Sequence, residues 1–249
     1  MRIVLLGAGH AHVEVCRRAG ELVRRGFEPV LVSPGGLWYS GLATGVLGGI
    51  YPPGLDLIDA GVLIERAGGR YIRARAVRIQ PRDQLVVLDD GATLPYDLLS
   101  CNLGSRSAAD AFEGAGEAVP VKPIERLVGF RAWLDARIEH APPSRVLVAG
   151  GGASGCEVAS NLAVLLRNRG LASRVTIATR RGLLRTLPRR AAAVARRALL
   201  ERGVDVREDA AVVAASGDVA RLASGVEVGF DALIDATGAR PPALLAEAD

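Results

Sequence analysis

Two glycine-rich segments, Gly7-Ala8-Gly9-His10-Ala11-His12 and Gly150-Gly151-Gly152-Ala153-Ser154-Gly155, constrain this chain more than any other feature. Each follows a short apolar run, Ile3 to Leu6 and Val146 to Ala149, and each opens a stretch with helical spacing. A glycine loop between a strand and a helix is the fingerprint of a dinucleotide site. Its glycines permit the tight turn, the approach of backbone to a pyrophosphate and the close packing of helix on strand. Two such loops imply two nucleotides, and two nucleotides suggest a relay in which a pyridine nucleotide hands electrons to a second, bound dinucleotide such as a flavin.

Composition narrows the class further. With 249 residues and 49% hydrophobic side chains, the chain is globular and long enough for one large domain or two ordinary ones. The formal charge is +4, and the basic residues are scattered, so no nucleic-acid surface is expected. No apolar run approaches the roughly 18 residues that span a bilayer, and the first apolar stretch lacks a cleavage site, so the chain reads as cytoplasmic. Cys16, Cys101 and Cys156 show neither CxxC spacing nor a metal-ligand pattern and read as free thiols. His10 and His12 point in different directions on a helix and make no metal pair; no metal site is expected. Lys122 is the one lysine among 31 basic residues, which marks either a need for a compact point charge or chance. Arg185, Arg189, Arg190, Arg196 and Arg197 form a basic helical region that is either a solvated face or a peripheral contact with anionic lipid.

Hydrophobic spacing sets the order of elements. Residues 2–7 form a strand, Ala11 to Arg25 a helix that Gly26 ends, and Pro29 to Ser33 a second strand, a βαβ opening whose sheet is parallel. Residues 34–53 are too irregular for a helix and too apolar for a solvated loop, and are expected to cover something. A helix over 55–67 precedes an antiparallel hairpin, Tyr71 to Ile79 and Gln84 to Leu88, and a strand from Asp97 to Asn102 that ends at Gly104. After a connector at 105–121 and a helix at 124–140, the second unit repeats the first. It has a strand at 145–149, the glycine loop, a helix to about Arg169, a strand Arg174 to Thr179, a basic helix Arg189 to Arg202, strands near 204–207 and 211–215, and a last strand Ala232 to Ala236. The expected class is α/β: two Rossmann-like domains with parallel sheets plus an antiparallel hairpin or meander.

In the second loop Gly150, Gly152 and Gly155 fill all three glycine positions, with Gly151, Ala153 and Ser154 between them. The exposed N–H groups and dipole of the helix start supply the anion site. In the first loop Gly7 and Gly9 are in place, with Ala8, His10 and Ala11 between and after them, but His12 takes the third position, so helix and strand are expected slightly further apart. Its alternative is a purely structural tight turn. An acidic residue usually ends the second strand of such units and takes the ribose hydroxyls. Here Ser33 stands in the first, a weaker hydroxyl contact, and Thr179 in the second, followed by Arg180 and Arg181. Those arginines either pair a 2′-phosphate and favour NADPH or are a solvated pair.

With these residues laid out, the chain resembles the two-dinucleotide-domain flavoproteins of the pyridine nucleotide-disulfide oxidoreductase and type II NADH dehydrogenase family. Gly150-Gly151-Gly152-Ala153-Ser154-Gly155-Cys156-Glu157 matches the family's GGGxxGxE, and Ala236-Thr237-Gly238 its ATG strand end. The likeness is nearest to the oxidoreductase module sometimes fused to selenide, water dikinase, through Gly9-His10-Ala11-His12-Val13-Glu14-Val15, Tyr39-Ser40-Gly41 and Val121-Lys122-Pro123-Ile124. The resemblance implies FAD in residues 1–120, a connector at 121–142, NAD(P)H in 143–240, and at 241–249 the start of a return to the FAD domain. It implies hydride transfer from NAD(P)H to the flavin and on to a small-molecule acceptor, a quinone being one candidate. It places Gly7, Gly9 and His10 on the FAD pyrophosphate, Gly104 near the same cofactor, and Tyr39, Ser40 and Gly41 along the flavin. Thr237 and Gly238 join the cofactor contacts. Glu157 falls near the nicotinamide and Lys122 on the crossing between domains, close to cofactor; these are the two catalytic assignments.

Departures from the family carry equal weight. Its disulfide reductases have a CxxxxC pair at the first glycine helix, whereas this chain has only Cys16 there, so no dithiol mechanism is expected. Relatives continue past the ATG strand to a Gly-Asp segment and a C-terminal domain; if Asp249 is the natural end, the FAD domain is expected to lack its returning half. The sequence therefore supports a flavin-dependent NAD(P)H oxidoreductase, with a truncated or degenerate dinucleotide-binding protein without activity as the alternative.

Overall fold

The structure, a computed structural model, describes residues 1–108 and 110–245. They group into two compact units: Met1–Tyr39, Asp56–Ser105 and the described residues from Pro241 make the first, and Ser40–Leu55 with Arg106–Arg240 the second. The chain runs β1 (Arg2–Leu6), α1 (His10–Arg17), α2 (Ala19–Arg24), β2 (Glu28–Val32) and β3 (Leu37–Trp38), then α3 (Ser40–Leu47), which belongs to the second unit. It continues through β4 (Leu57–Ile58), α4 (Ala60–Arg66), β5 (Arg70–Ile72), β6 (Ala76–Gln80), β7 (Leu85–Leu88), β8 (Thr93–Pro95) and β9 (Leu98–Cys101).

In the first unit β5-β2-β1-β9 form a parallel sheet, and β6-β7-β8 an antiparallel meander. Both faces of β1 are covered, which is why it reads as an unbroken apolar run. Ile3 and Leu5 pack with Cys16, Ala19 and Ile64 of the helices, whereas Val4 and Leu6 pack with Ile79, Val86 and Leu88 of the meander. The helix expected over Ala11 to Arg25 begins at His10 and breaks at Arg18, whose N–H is shared between the carbonyls of Glu14 and Val15. Gly26, at φ +80°, ends α2 as expected. Two expectations fail here. Tyr71 lies in β5, paired in parallel with β2, so the hairpin starts only at Ala76. The helix expected over 55–67 begins at Ala60, capped by Asp59, which accepts from Val62 N–H at 3.0 Å; Leu57 and Ile58 instead pair with β3.

The second unit continues with β10 (Val119–Pro120), α5 (Glu125–Ile138), β11 (Arg145–Ala149), α6 (Ala153–Asn168), β12 (Arg174–Ala178), α7 (Arg189–Glu201), β13 (Asp205–Arg207), β14 (Val212–Ser216), β15 (Val219–Leu222), β16 (Glu227–Gly229) and β17 (Ala232–Asp235). Its parallel sheet has the order β10-β17-β11-β12-β13, and β14-β15-β16 form a second meander. Val146 and Val148 face α5, α6 and α7, while Leu147 and Ala149 face the meander through Ala220, Leu222 and Phe230. The α/β class with parallel sheets and antiparallel strands is thus as expected. The helix expected over 124–140 is α5, and residues 121–142, which the resemblance makes a connector, group with the second unit. Residues 34–53, read as too irregular for a helix, contain α3.

A side chain 84 residues away holds α3 in place. Arg131 of α5 is buried and donates from Nη1 to the carbonyls of Val46 (2.8 Å) and Leu47 (2.9 Å), satisfying the helix C-terminus, while its Nε pairs with Asp135 at 2.7 Å. Replacing it strands two carbonyls and leaves Asp135 with Arg169, at 3.6 Å. Arg131→Leu should cost about 3 kcal/mol of stability, measured by urea unfolding; an unchanged midpoint would refute this role for Arg131.

Candidate functional site

Each unit places a glycine loop at the end of a central parallel strand, β1 or β11, beside the unit's last strand, β9 or β17. In the first, Gly7 turns at φ +85° and its N–H donates to the Val32 carbonyl at 2.8 Å, while Asn102 N–H donates to Leu6 and its carbonyl accepts from Gly9 N–H at 3.2 Å. A Cβ on Gly7 would stand 2.6 Å from the Asn102 carbonyl oxygen, and one on Gly9 would overlap the Asn102 side chain. Gly9 then caps α1 in extended conformation with no side chain across its N–H groups. Asn102 Oδ1 is buried without a hydrogen-bond partner. An uncapped helix start, a cradle that admits no Cβ and an orphaned acceptor beside it fit a ligand carrying both phosphate and hydroxyl groups.

His12 fits the third glycine position by chemistry rather than by absence. It is 2% exposed; its Nδ1–H donates to the Gly7 carbonyl at 2.6 Å and its Nε2 accepts from Ser100 Oγ at 2.9 Å. A carbonyl only accepts, which fixes the neutral tautomer. Burial lowers the His12 pKa, opposed by the bond to Gly7.

In the second unit Gly150, at φ +118°, donates to Ala178 at 2.8 Å, and Ala236 N–H donates to Ala149 at 2.8 Å. A Cβ on Gly150 would overlap the Ala236 carbonyl, and one on Gly155 would overlap the carbonyl of Gly150 itself. Gly151 packs on buried Thr179, where a Cβ would lie 2.6 Å from Oγ1. Gly152 opens α6 with nothing within 4 Å of a Cβ, and Ala153 and Ser154 follow, exposed. Asp235, 2% exposed at the end of β17, accepts from Thr237 N–H (3.0 Å) and Oγ1 (2.6 Å), shaping the Ala236-Thr237-Gly238 turn.

The sequence profile of the pyridine nucleotide-disulphide oxidoreductases matches residues 1–249. The chain belongs to that family. Among curated relatives, the ferredoxin reductase component of chlorobenzene dioxygenase from Cupriavidus sp. (strain PS12) is 32% identical over 184 residues, 71% of this chain and 41% of that protein. The chain spans about two fifths of the length of the curated relatives it matches. Among solved structures, NDH2 from Plasmodium falciparum in complex with NADH matches 99% of this chain and 57% of its own with TM-score 0.83 and 16% identity. The CoADR-RHD of Bacillus anthracis matches 99% of this chain and 45% of its own with TM-score 0.80 and 22% identity. At these identities the solved structures establish the fold.

Against that family background, the remaining expected site residues fall as follows. Ser33 is buried at the end of β2, and its hydroxyl donates to the Gly35 carbonyl at 2.6 Å. Tyr39 lies in the first unit, its ring 5.1 Å from that of His10, whereas Ser40 and Gly41 open α3 in the second. Gly104 follows Asn102 at φ +75°. Arg180 and Arg181 are exposed and make no ion pair or hydrogen bond among the described residues. Glu157, in the second turn of α6, accepts from Thr44 Oγ1 of α3 at 3.2 Å. Lys122 follows β10, expected on a crossing but lying within the second unit, and its carbonyl accepts from Ser107 N–H at 3.1 Å. Burial lowers its pKa, opposed by Glu125. Burial pushes the Cys16 and Cys156 thiols up to about 11, so neither is a thiolate at neutral pH. No metal-binding group occurs among the described residues, and no described helix is long and apolar enough to cross a membrane. Sequence reasoning missed Asn102, Thr44 and Asp235; only their places, at strand ends or on a neighbouring helix, reveal them.

Two expectations follow. Gly152→Ala should fold with wild-type stability yet weaken ADP binding at least about tenfold by blocking phosphate approach, while Gly155→Ala should lose about 2–4 kcal/mol of stability. Calorimetric titration and urea unfolding separate them, and equal behaviour of the two would contradict the geometry. Because folding lowers the His12 pKa below its ordinary 6.5, its contribution to stability is complete above that pH and declines as pH falls through 6.5 toward the folded value. His12→Gln should lack that decline of melting temperature as pH falls below 6.5; a parallel curve would reject it.

Proposed function

We propose that this chain carries the two nucleotide sites of a flavin-dependent NAD(P)H oxidoreductase, FAD on the first glycine loop and NAD(P)H on the second. The observation that carries this reading is the duplicated cradle, in which Asn102 and Ala236 present the same backbone carbonyl to equivalent glycines. Bound flavin would supply a two-electron relay between the nicotinamide and a small-molecule acceptor, with quinones as one candidate class. The protein's contribution is placement. The α1 and α6 N-termini would take the pyrophosphates, Asn102 Oδ1 would accept from a hydroxyl of the first ligand, and Thr237 and Gly238 would flank the second. Glu157, held by Thr44, would accept a hydrogen bond at the nicotinamide end. Lys122, partly buried after β10 with its pKa lowered by burial, would contact the cofactor. A cytoplasmic setting and a close kinship with the oxidoreductase module fused to selenide, water dikinase belong to the same reading, supported by Val121-Lys122-Pro123-Ile124.

Thr179 stands where a ribose-binding acid would be, and Arg180 and Arg181 follow it unpaired among the described residues, which favours NADPH. The purified chain loaded with FAD should be yellow and be bleached faster by NADPH than by NADH. Changing both arginines to alanine should reduce that preference about tenfold, close to 1.4 kcal/mol. A colourless chain that takes up no FAD sinks the oxidoreductase reading, and faster bleaching by NADH sinks the role of the arginines.

A further inference from the structure

The loop from Thr179 to Pro188 that carries Arg180 and Arg181 is pinned at three points. Thr179 N–H donates to the Arg207 carbonyl at 2.9 Å and its carbonyl accepts from Ala210 N–H at 2.8 Å. Leu184 N–H donates to the Gly151 carbonyl at 2.8 Å, tying the loop to the second glycine turn. The third point is Glu208, just past β13: Oε1 accepts from Leu183 N–H at 3.0 Å, and Oε2 meets Arg196 Nε of α7 at 3.4 Å. Leu183 itself is 3% exposed, and Leu184 sits at φ +47°, a conformation that non-glycine residues hold only when their surroundings impose it.

The first two attachments join main chain to main chain, and any sequence could make them. Glu208 is different, because among the described residues it is the side chain that holds this loop's main chain. A carboxylate so placed would also repel an anionic ligand if left free. Here its charge is taken up by Arg196 and a backbone N–H, while Arg180 and Arg181 are left without an acidic partner among the described residues.

We infer that Glu208 is a positioning residue for the 2′-phosphate subsite, fixing through Leu183 the loop that presents Arg180 and Arg181 to the dinucleotide. The inference rests on the NADPH reading above. It goes beyond that reading by assigning the subsite's geometry to a residue just past β13 rather than to the arginines' own loop.

Calorimetric titration of the purified chain with 2′,5′-ADP and with ADP tests it without flavin or turnover. Glu208→Ala should weaken 2′,5′-ADP about tenfold and ADP less, with a melting temperature close to wild type. Glu208→Gln, which keeps an acceptor for Leu183 N–H, should retain most of the 2′,5′-ADP affinity. An unchanged ratio of the two affinities in Glu208→Ala overturns the proposal. So does tighter 2′,5′-ADP binding in both variants, which would show the carboxylate only repelling phosphate. If the wild-type chain binds both ligands equally, the NADPH reading fails and Glu208 is judged on ADP: a loss in Glu208→Ala supports loop positioning, and no loss rejects it.

Discussion

The contact on which both glycine cradles depend is the seating of a glycine loop on the carbonyl just past a neighbouring strand. Gly7 and Gly9 lie on Asn102, and Gly150 lies on Ala236, at separations that leave no room for a Cβ. That contact requires the strand before the glycine loop to be the sheet neighbour of the unit's last strand, as β1 is of β9 and β11 is of β17. It also leaves the N–H groups of the following helix uncapped by side chains. Parallel order, helices on one face and a meander on the other are then the means of burying both faces of such a sheet.

The two units close the third glycine position by different chemistry. In the second, Gly155 brings backbone against the Gly150 carbonyl. In the first, the corresponding carbonyl of Gly7 is met by the His12 imidazole, which continues to Ser100 on β9. A side chain thereby replaces a van der Waals contact with two directional bonds, and the first loop acquires a sensitivity to protonation that the second lacks. The two glycine signatures share a fold but not a mode of attachment.

Much of this was legible in the sequence because it is local. Apolar runs followed by glycines marked β1, β11 and the helices after them, and Gly26 marked the end of α2. What escaped depends on distant partners. The α3 segment is rich in glycine and small residues, and its carbonyls are satisfied by Arg131 from α5. Tyr71 alternates like a hairpin residue, but β5 pairs with β2. Ser33 has the right chemistry for a ribose, yet Gly35 takes its hydroxyl. Glu208 lies just past β13, where no spacing links it to Leu183. The missed meander strands β15 and β16 were signalled by Gly217 and Gly225, both at positive φ.

If one chain holds two different dinucleotides, equilibrium dialysis of the purified chain against FAD and NADP⁺, singly and together, should give one equivalent of each bound per chain, with neither displacing the other. Mutual displacement, or a single equivalent in total, would refute two separate sites.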